Sequence, residues 1–599
     1  MKTKAFVISS VMLFLPFLVL QVCGQGEYLS PTRMAVHPVT KEVFVLLSTA
    51  RSVAKVNPVT EHLQGNIPLG FAPSDICFSP DGKTMYITEY AATGRIHAFS
   101  AVDGKKRWSV EAGSYSAALC MNPGGTRAWV ANRFSNDVSV IDLSKRKEIK
   151  RIALIREPKS LAMSPDGKIV AAGNFLPLQP ATDSEVAAQV SLIDAEQDTV
   201  VKHISLSDGA HSIADVCFSK QGHLLFVTHI LSHYTFPATQ LERGWMNTNA
   251  LSLIDVFQRV HGATVLLDDM YRGAANPCGM ALSDDGNRLA VVLSGTHELM
   301  VLSLPPLLEM MKQGKTKTLV NDLNFLTGHK IRIPLCGKGA RHVIALNRKW
   351  LTGDYFSGGL SVVEADAPAN RRFIKLGEEP EADAIRKGEF FFSDAHLCFQ
   401  QWQSCLSCHP DARMDGLNWD LPNDGIGNPK NTKSLLYAHV TPPCMITGIR
   451  PDAETAVRAG IRHIQSAIRP EEDAACIDLY LRSLRPIPSP YLKRGKLTKA
   501  ARHGKKLFVQ AGCADCHNGA YHTDGRSYDA GTGIEESTGT PFDTPSLKEV
   551  WRTAPYLYNG SAKTIREVLT IFNKEDRHGV TRHLSEDEIK ALEEYVLSL

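Results

Sequence analysis

The first half of the chain repeats itself. Pro73-Ser-Asp-Ile-Cys-Phe-Ser-Pro-Asp-Gly82 returns as Pro158-Lys-Ser-Leu-Ala-Met-Ser-Pro-Asp-Gly167 and as Pro277-Cys-Gly-Met-Ala-Leu-Ser-Asp-Asp-Gly286. Weaker copies start near Pro31, Ser116, Ile213 and Arg341. The early ones recur about every 42 residues, within the period of propeller blades. Each unit reads as an apolar strand, a turn such as Ser79-Pro80-Asp81-Gly82, a second strand and a third. The turn has a mechanism, because glycine takes a positive φ without steric cost. Seven copies predict an all-β, seven-bladed propeller over residues 25–376, closed so that few strand edges are exposed. Cys77, Cys120, Cys217 and Cys278 fall in apolar strand patterns and read as small buried hydrophobes. The fourth blade is read as enlarged, with His229-Ile-Leu-Ser-His233-Tyr-Thr-Phe-Pro237 and Arg243-Gly244-Trp245-Met246 inserted. That insertion is read as packing against the next domain, with a substrate site as the alternative.

The second half carries two Cys-x-x-Cys-His runs, Cys405-Leu-Ser-Cys408-His409 and Cys513-Ala-Asp-Cys516-His517. Two thiols at this spacing reach the two vinyl groups on one edge of a porphyrin. The histidine that follows then lies under the iron. Each run is therefore read as the attachment site of a c-type haem. The competing reading joins Cys405, Cys408, Cys513 and Cys516 in one zinc site. Zinc pairs usually lie about 15–20 residues apart, and these lie much farther from one another.

Around these runs the pattern is mainly helical and duplicated. Arg386-Lys-Gly388-Glu-Phe-Phe-Phe392 precedes the first run and Arg502-His-Gly504-Lys-Lys-Leu-Phe508 the second. Thr432-Lys-Ser434-Leu435 parallels Thr544-Pro-Ser546-Leu547, and Thr441 to Gly448 parallels Thr553 to Gly560. The expected divisions are 377–490, with the first haem, and 491–599, with the second. Pro486, Pro488 and Pro490 form the link between them. Asp452 is read as the cap of an amphipathic helix.

The amino terminus carries Lys2 and Lys4, an apolar run from Ala5 to Leu20, then small residues. This reads as a signal peptide over 1–24, and predicts a periplasmic or secreted protein. Leu20-Gln-Val-Cys23 is a poor lipid-attachment box because Val22 is bulky. No later stretch is long and apolar enough to span a bilayer. A net charge of +3 over 599 residues gives nucleic acid no electrostatic handle. In an oxidising compartment Cys336, Cys398, Cys444 and Cys476 could form bridges, in pairings the sequence leaves open.

The repeats resemble the YVTN family, whose pattern stands here as Ser135-Asn-Asp-Val-Ser-Val-Ile-Asp142. Residues 377 to 599 resemble the bacterial di-haem cytochrome c peroxidase and MauG superfamily. Beyond the haem runs, the likeness rests on Thr544-Pro-Ser-Leu547, Thr553-Ala-Pro-Tyr556 and Asn559-Gly560. The resemblance implies a peroxide-reactive haem in the first copy and an electron-relay haem in the second. It also implies a calcium between them, with Asn431 as a ligand. Three departures follow. The family's bridging tryptophan falls on Ile446, leaving Trp419 or Trp551 as substitutes. Its distal histidine falls near Asp424 or Gly425. Its sixth ligand to the relay iron falls on Phe572, and His578 is read as the substitute, ahead of His583. For the first haem's distal side, His439 and Met445 are the nearest candidates, and His439 is read equally as a structural histidine. Asp415, Asp420 and Asp424 are the acidic alternatives.

These observations predict an exported oxidoreductase. It would use a small periplasmic electron donor or acceptor, with hydrogen peroxide or an unknown substrate. The alternative is a non-enzymatic electron-transfer cytochrome with a binding propeller. A propeller by itself implies no function.

Overall fold

The computed structural model describes residues 27–236, 246–313, 316, 318–421 and 427–599. The expected signal peptide, Cys23, Asp424, Gly425 and Arg243 to Trp245 lie outside these residues.

The described residues build seven four-stranded antiparallel sheets, each from one contiguous stretch of chain. Val43–Leu47, a second strand, is buried along its whole length because neighbouring blades cover both of its faces. The fourth strands are the reverse: His62–Pro68 and Lys147–Ala153 are mostly exposed and polar. They have no apolar alternation, so the sequence reading of three strands per unit missed them. The charges of Lys147–Ala153 suit an edge that must not pair with another chain.

The turn chemistry recurs blade after blade. Ser79 Oγ donates to Asp81 Oδ1 at 2.6 Å, Ser164 to Asp166 at 2.6 Å, and Ser283 to Asp285 at 2.5 Å. Each aspartate also accepts a backbone N–H two residues on. The ring closes by packing rather than by sharing a strand. Leu29, Met34, Val43 and Val45 of the first blade bury against Leu351, Leu360 and Val362 of the seventh. Outside this seam, Glu61 takes Lys349 and Arg372, and the Arg372 hydrogen bond holds its carboxyl down at about 2.

Two expectations are corrected. The enlarged blade is the fifth, not the fourth: its strands Leu224–Ser232 and Asn247–Asp255 run to nine residues each. Cys336, Cys398, Cys444 and Cys476 are all free thiols, as is every described cysteine. Cys77, Cys120, Cys217 and Cys278 lie on strands, as read.

After the last propeller strand, Arg371–Lys375, the chain turns mainly helical. Helix Ala384–Ser393 packs on Glu471–Ser483, and Lys499–Gln510 packs on Glu586–Leu597. The duplication is visible in one detail. A Cβ on Gly388 would fall 1.9 Å from Cys476 O, and a Cβ on Gly504 would fall 1.9 Å from Ala591 O. Only glycine lets either pair approach so closely. Phe392, Ile477 and Leu481 fill one core; Phe508, Leu592 and Tyr595 fill the other. Asp452 caps helix Ala453–Ala459 by accepting from Thr455 N at 2.7 Å. Among the described residues no helix is long and apolar enough to cross a membrane.

Candidate haem sites

The first run forms one short helix, Cys405–Cys408, capped by Ser404 and Ser407. Its approach is pinned to the propeller. Gly273 N donates to Gln400 O at 2.8 Å, and Asn249 Nδ2 to Trp402 O at 3.1 Å. Asn247 Nδ2 reaches Gln403 Oε1 at 2.8 Å and Cys408 Sγ at 3.3 Å. Asn276 Nδ2 donates to Ser404 Oγ at 2.9 Å, and Ser407 Oγ donates back to Asn276 Oδ1 at 2.9 Å. These asparagines escaped the sequence reading. The available signal was Asn247-Thr-Asn249 inside the enlarged blade, amide side chains on a strand buried along nearly its whole length.

His409 donates its Nδ1 hydrogen to Arg413 O at 2.9 Å, which leaves Nε2 as the ligating nitrogen. Burial holds His409 below the ordinary histidine value, in the neutral form that binds iron. Burial likewise pushes the Cys405 thiol up to about 12.

The second run, Cys513–Cys516, is built alike, and His517 Nδ1 donates to His522 O at 3.3 Å. Opposite it stands His578, ring centroids 6.2 Å apart and planes inclined at 46°. A ring centroid lies roughly 3 Å from a metal bound at its nitrogen through a bond of about 2 Å, so this gap suits two imidazoles sharing one iron. Burial, then the nearby His517, holds His578 down at about 4, and its Nδ1 is a buried atom without a hydrogen-bond partner. Asn573 shapes this loop: its Oδ1 accepts from His578 N at 2.9 Å, and its Nδ2 donates to Gly579 O at 2.7 Å. Val580 N donates to Ala511 O at 2.9 Å, clamping the loop beside Cys513. His583 is exposed. The paired thiols, the oriented imidazoles and the orphaned nitrogen fit covalent haem at both runs.

The other candidates lie as follows. Trp419 donates Nε1 to Asp415 Oδ2 at 2.9 Å and packs with Val186, Tyr234 and Met246 of the propeller, against Cys408. The part of the insertion that is described thus packs on the haem domain. Burial pushes the Asp415 carboxyl up to about 6. His439 is buried with Nε2 2.9 Å from Asp478 Oδ1, and Asp478 is held in turn by Arg458. Its described partner is thus a helix of the first copy, not the His409 ring. Trp551 stacks edge-on against Phe134 of the propeller, centroids 5.1 Å apart. Asn431 donates Nδ2 to Pro555 O at 2.6 Å, joining the two copies, and its buried Oδ1 has no partner. Calcium takes six to eight oxygens, of which this one would supply one.

A buried ion network runs between the runs. Asp411 pairs with Arg133 of the propeller at 2.5 Å and with Arg552 of the second copy at 3.0 Å. Arg133 also holds Glu157 at 2.8 Å, and Arg413 grips Glu549 through two bonds of 2.7 and 3.0 Å. Propeller, first copy and second copy therefore share one set of charges.

Fold and donor set together define a c-type haem oxidoreductase fused to a seven-bladed propeller. The cytochrome c family matches residues 501–599. The chain is 28% identical over 277 residues to hydrazine synthase subunit gamma of Kuenenia stuttgartiensis, covering 37% of this chain and 78% of that one. It is 24% identical over 332 residues to the cytochrome-c peroxidase IdrP2 of Denitromonas iodatirespirans, covering 42% and 90%. Among solved structures, Kuenenia stuttgartiensis hydrazine synthase aligns with a TM-score of 0.53 at 22% identity, over 58% of this chain and 98% of that one. That likeness is one of fold.

Proposed function

We propose that this is an exported di-haem oxidoreductase in which the haem at His409 reacts and the haem at His517 relays electrons. The observation that carries the proposal is the asymmetry between the runs. His578 stands opposite His517, whereas among the described residues no histidine ring stands so opposite His409. Haem at these sites supplies iron that exchanges single electrons and, where a position is open, takes a small ligand.

The chain's own groups do the rest. Arg413 O orients His409 and raises its basicity as a ligand. Asp415 aims the Trp419 indole beside Cys408 and holds a proton below about pH 6. Trp419 is the aromatic group best placed to pass charge near that run. Asp424, which lies outside the described residues, is the remaining acidic candidate for handling protons, whereas His439 is engaged by Asp478. The propeller docks the first run and offers its open face to a substrate or a small periplasmic electron partner.

The cytochrome-c peroxidase relative supports hydrogen peroxide as the oxidant. The higher identity to a hydrazine synthase subunit supports a second reading, in which the reactive haem handles a small nitrogen compound. Stopped-flow mixing of the half-reduced protein with peroxide, and separately with hydrazine, distinguishes the two. Under the first reading the His409 haem changes spectrum with peroxide on a catalytic timescale. If neither reagent does this, and cyanide binds neither iron, the protein is an electron carrier.

A further inference from the structure

Away from both haem runs, the seam between propeller and first haem copy holds a cluster that neither role uses. His297 lies on the turn between strands Arg288–Leu293 and Glu298–Ser303 of the sixth blade. Asp394 and His396 follow helix Ala384–Ser393. Their ligand atoms all lie within 4.8 Å of one another. His297 Nε2 is 3.3 Å from Asp394 Oδ1, and His396 Nδ1 is 2.8 Å from the same oxygen. The two rings are nearly parallel, at 18°, with centroids 5.1 Å apart.

We propose that His297, Asp394 and His396 form a binding site for a divalent transition metal of the zinc class, clamping the sixth blade to the first haem copy. Four observations support it. First, bonds of about 2.0–2.1 Å at tetrahedral angles put ligand atoms roughly 3.3 Å apart, close to the 3.3 and 2.8 Å from the two imidazoles to Asp394 Oδ1, so small side-chain shifts complete the site. Second, the His297 side chain is 5% exposed, and its Nε2 makes no well-formed hydrogen bond, lying 3.3 Å from Asp394 Oδ1. A buried nitrogen held so loosely is better satisfied when a metal takes it. Third, the cluster is pre-organised. Ala395 N donates to Gly295 O at 3.0 Å, so a backbone bond already ties the two segments of the site together. Asp394 Oδ1 also accepts from His396 N at 2.9 Å, and Phe390 stacks on His297 at 5.5 Å. Fourth, there is a way in, because the His396 side chain is 40% exposed. That leaves the fourth position open to water.

The tautomer is also provided for. His297 Nδ1 lies 3.1 Å from both Ser294 O and Gly339 N. Without metal, the Gly339 N–H favours a proton on Nε2, toward Asp394. With metal at Nε2, the proton moves to Nδ1 and is donated to the Ser294 carbonyl, the usual support of a ligating histidine, and the Gly339 N–H must then turn to another acceptor. Two imidazoles and one carboxylate select zinc-like ions over calcium and magnesium, which take oxygen ligands.

The test is zinc binding by the full haem-loaded chain. Thiols are first alkylated, because Cys336 is exposed and free. Chelator-treated protein should rebind about one zinc per chain by elemental analysis. A crystal soaked in zinc should give an anomalous peak at the zinc edge among the three side chains. Asp394→Asn and His396→Ala should each weaken binding more than about ten-fold, with haem spectra unchanged as the control for folding. Zinc affinity equal in the variants and the parent would overturn the proposal. So would an anomalous peak elsewhere, or displacement of zinc by equimolar calcium or magnesium.

Discussion

The imidazoles of His517 and His578 stand 6.2 Å apart, centroid to centroid, though they are 61 positions apart in the chain. Asn573 and the Val580–Ala511 backbone bond hold His578 there. His578→Ala should convert one low-spin ferric signal to high-spin and raise one reduction potential. His583→Ala, at an exposed position, should do neither. Electron paramagnetic resonance of the oxidised protein decides, and an unchanged spectrum in His578→Ala would exclude it as a ligand.

Two intact runs predict two covalent haems. Mass spectrometry of the mature chain should show two haem additions that survive acid–acetone extraction. Cys408→Ala and Cys516→Ala should each weaken the attachment of one haem only.

Glu549 is fully buried and neutralises Arg413 across the two haem copies. Glu549→Ala leaves that guanidinium without its carboxylate, so denaturant unfolding followed at the Soret band should show a loss of about 3–5 kcal/mol. Glu549→Gln keeps an acceptor for Ile487 N and should lose less.

Asn276 both donates to Ser404 and accepts from Ser407. Asn276→Ala removes one bond from each of two buried hydroxyls that keep their capping bonds, at about 0.5–1.5 kcal/mol each. The first haem's melting transition should fall while that of the second stays in place.

Burial pushes the Asp354 carboxyl up to about 7, against hydrogen bonds from Ser361 and Thr352. In the unfolded chain it titrates near the usual value of about 3.9. Between these values the folded state holds the extra proton. This group's contribution is therefore full below about pH 4 and is lost as pH rises toward 7, at roughly 1.4 kcal/mol per pH unit. Urea unfolding of the propeller, read from the buried Trp350, should follow that slope, and Asp354→Asn should flatten it.

Some of this was legible in the residues. Ser-Pro-Asp-Gly turns and apolar runs are local chemistry, so blade number and inner strands could be read directly. The fourth strands were invisible because a solvent-facing edge needs no apolar pattern. His439 read equally as a proton-handling and as a structural histidine, and only the fold shows Asp478, 39 positions on, at its Nε2. The four spare cysteines looked available for bridges, yet the fold keeps them as free thiols.

By itself, the sequence determined the covalent logic: two thiol pairs, each with its histidine, and a repeat that must close on itself. Such features act over a few residues, so spacing alone specifies them. The tertiary structure decided which distant side chains meet. It set His578 against His517, Asn276 beneath the first run, and His297 beside Asp394 and His396. Those pairings are made by loops that share no period or pattern, and their geometry exists only once propeller and helices have packed.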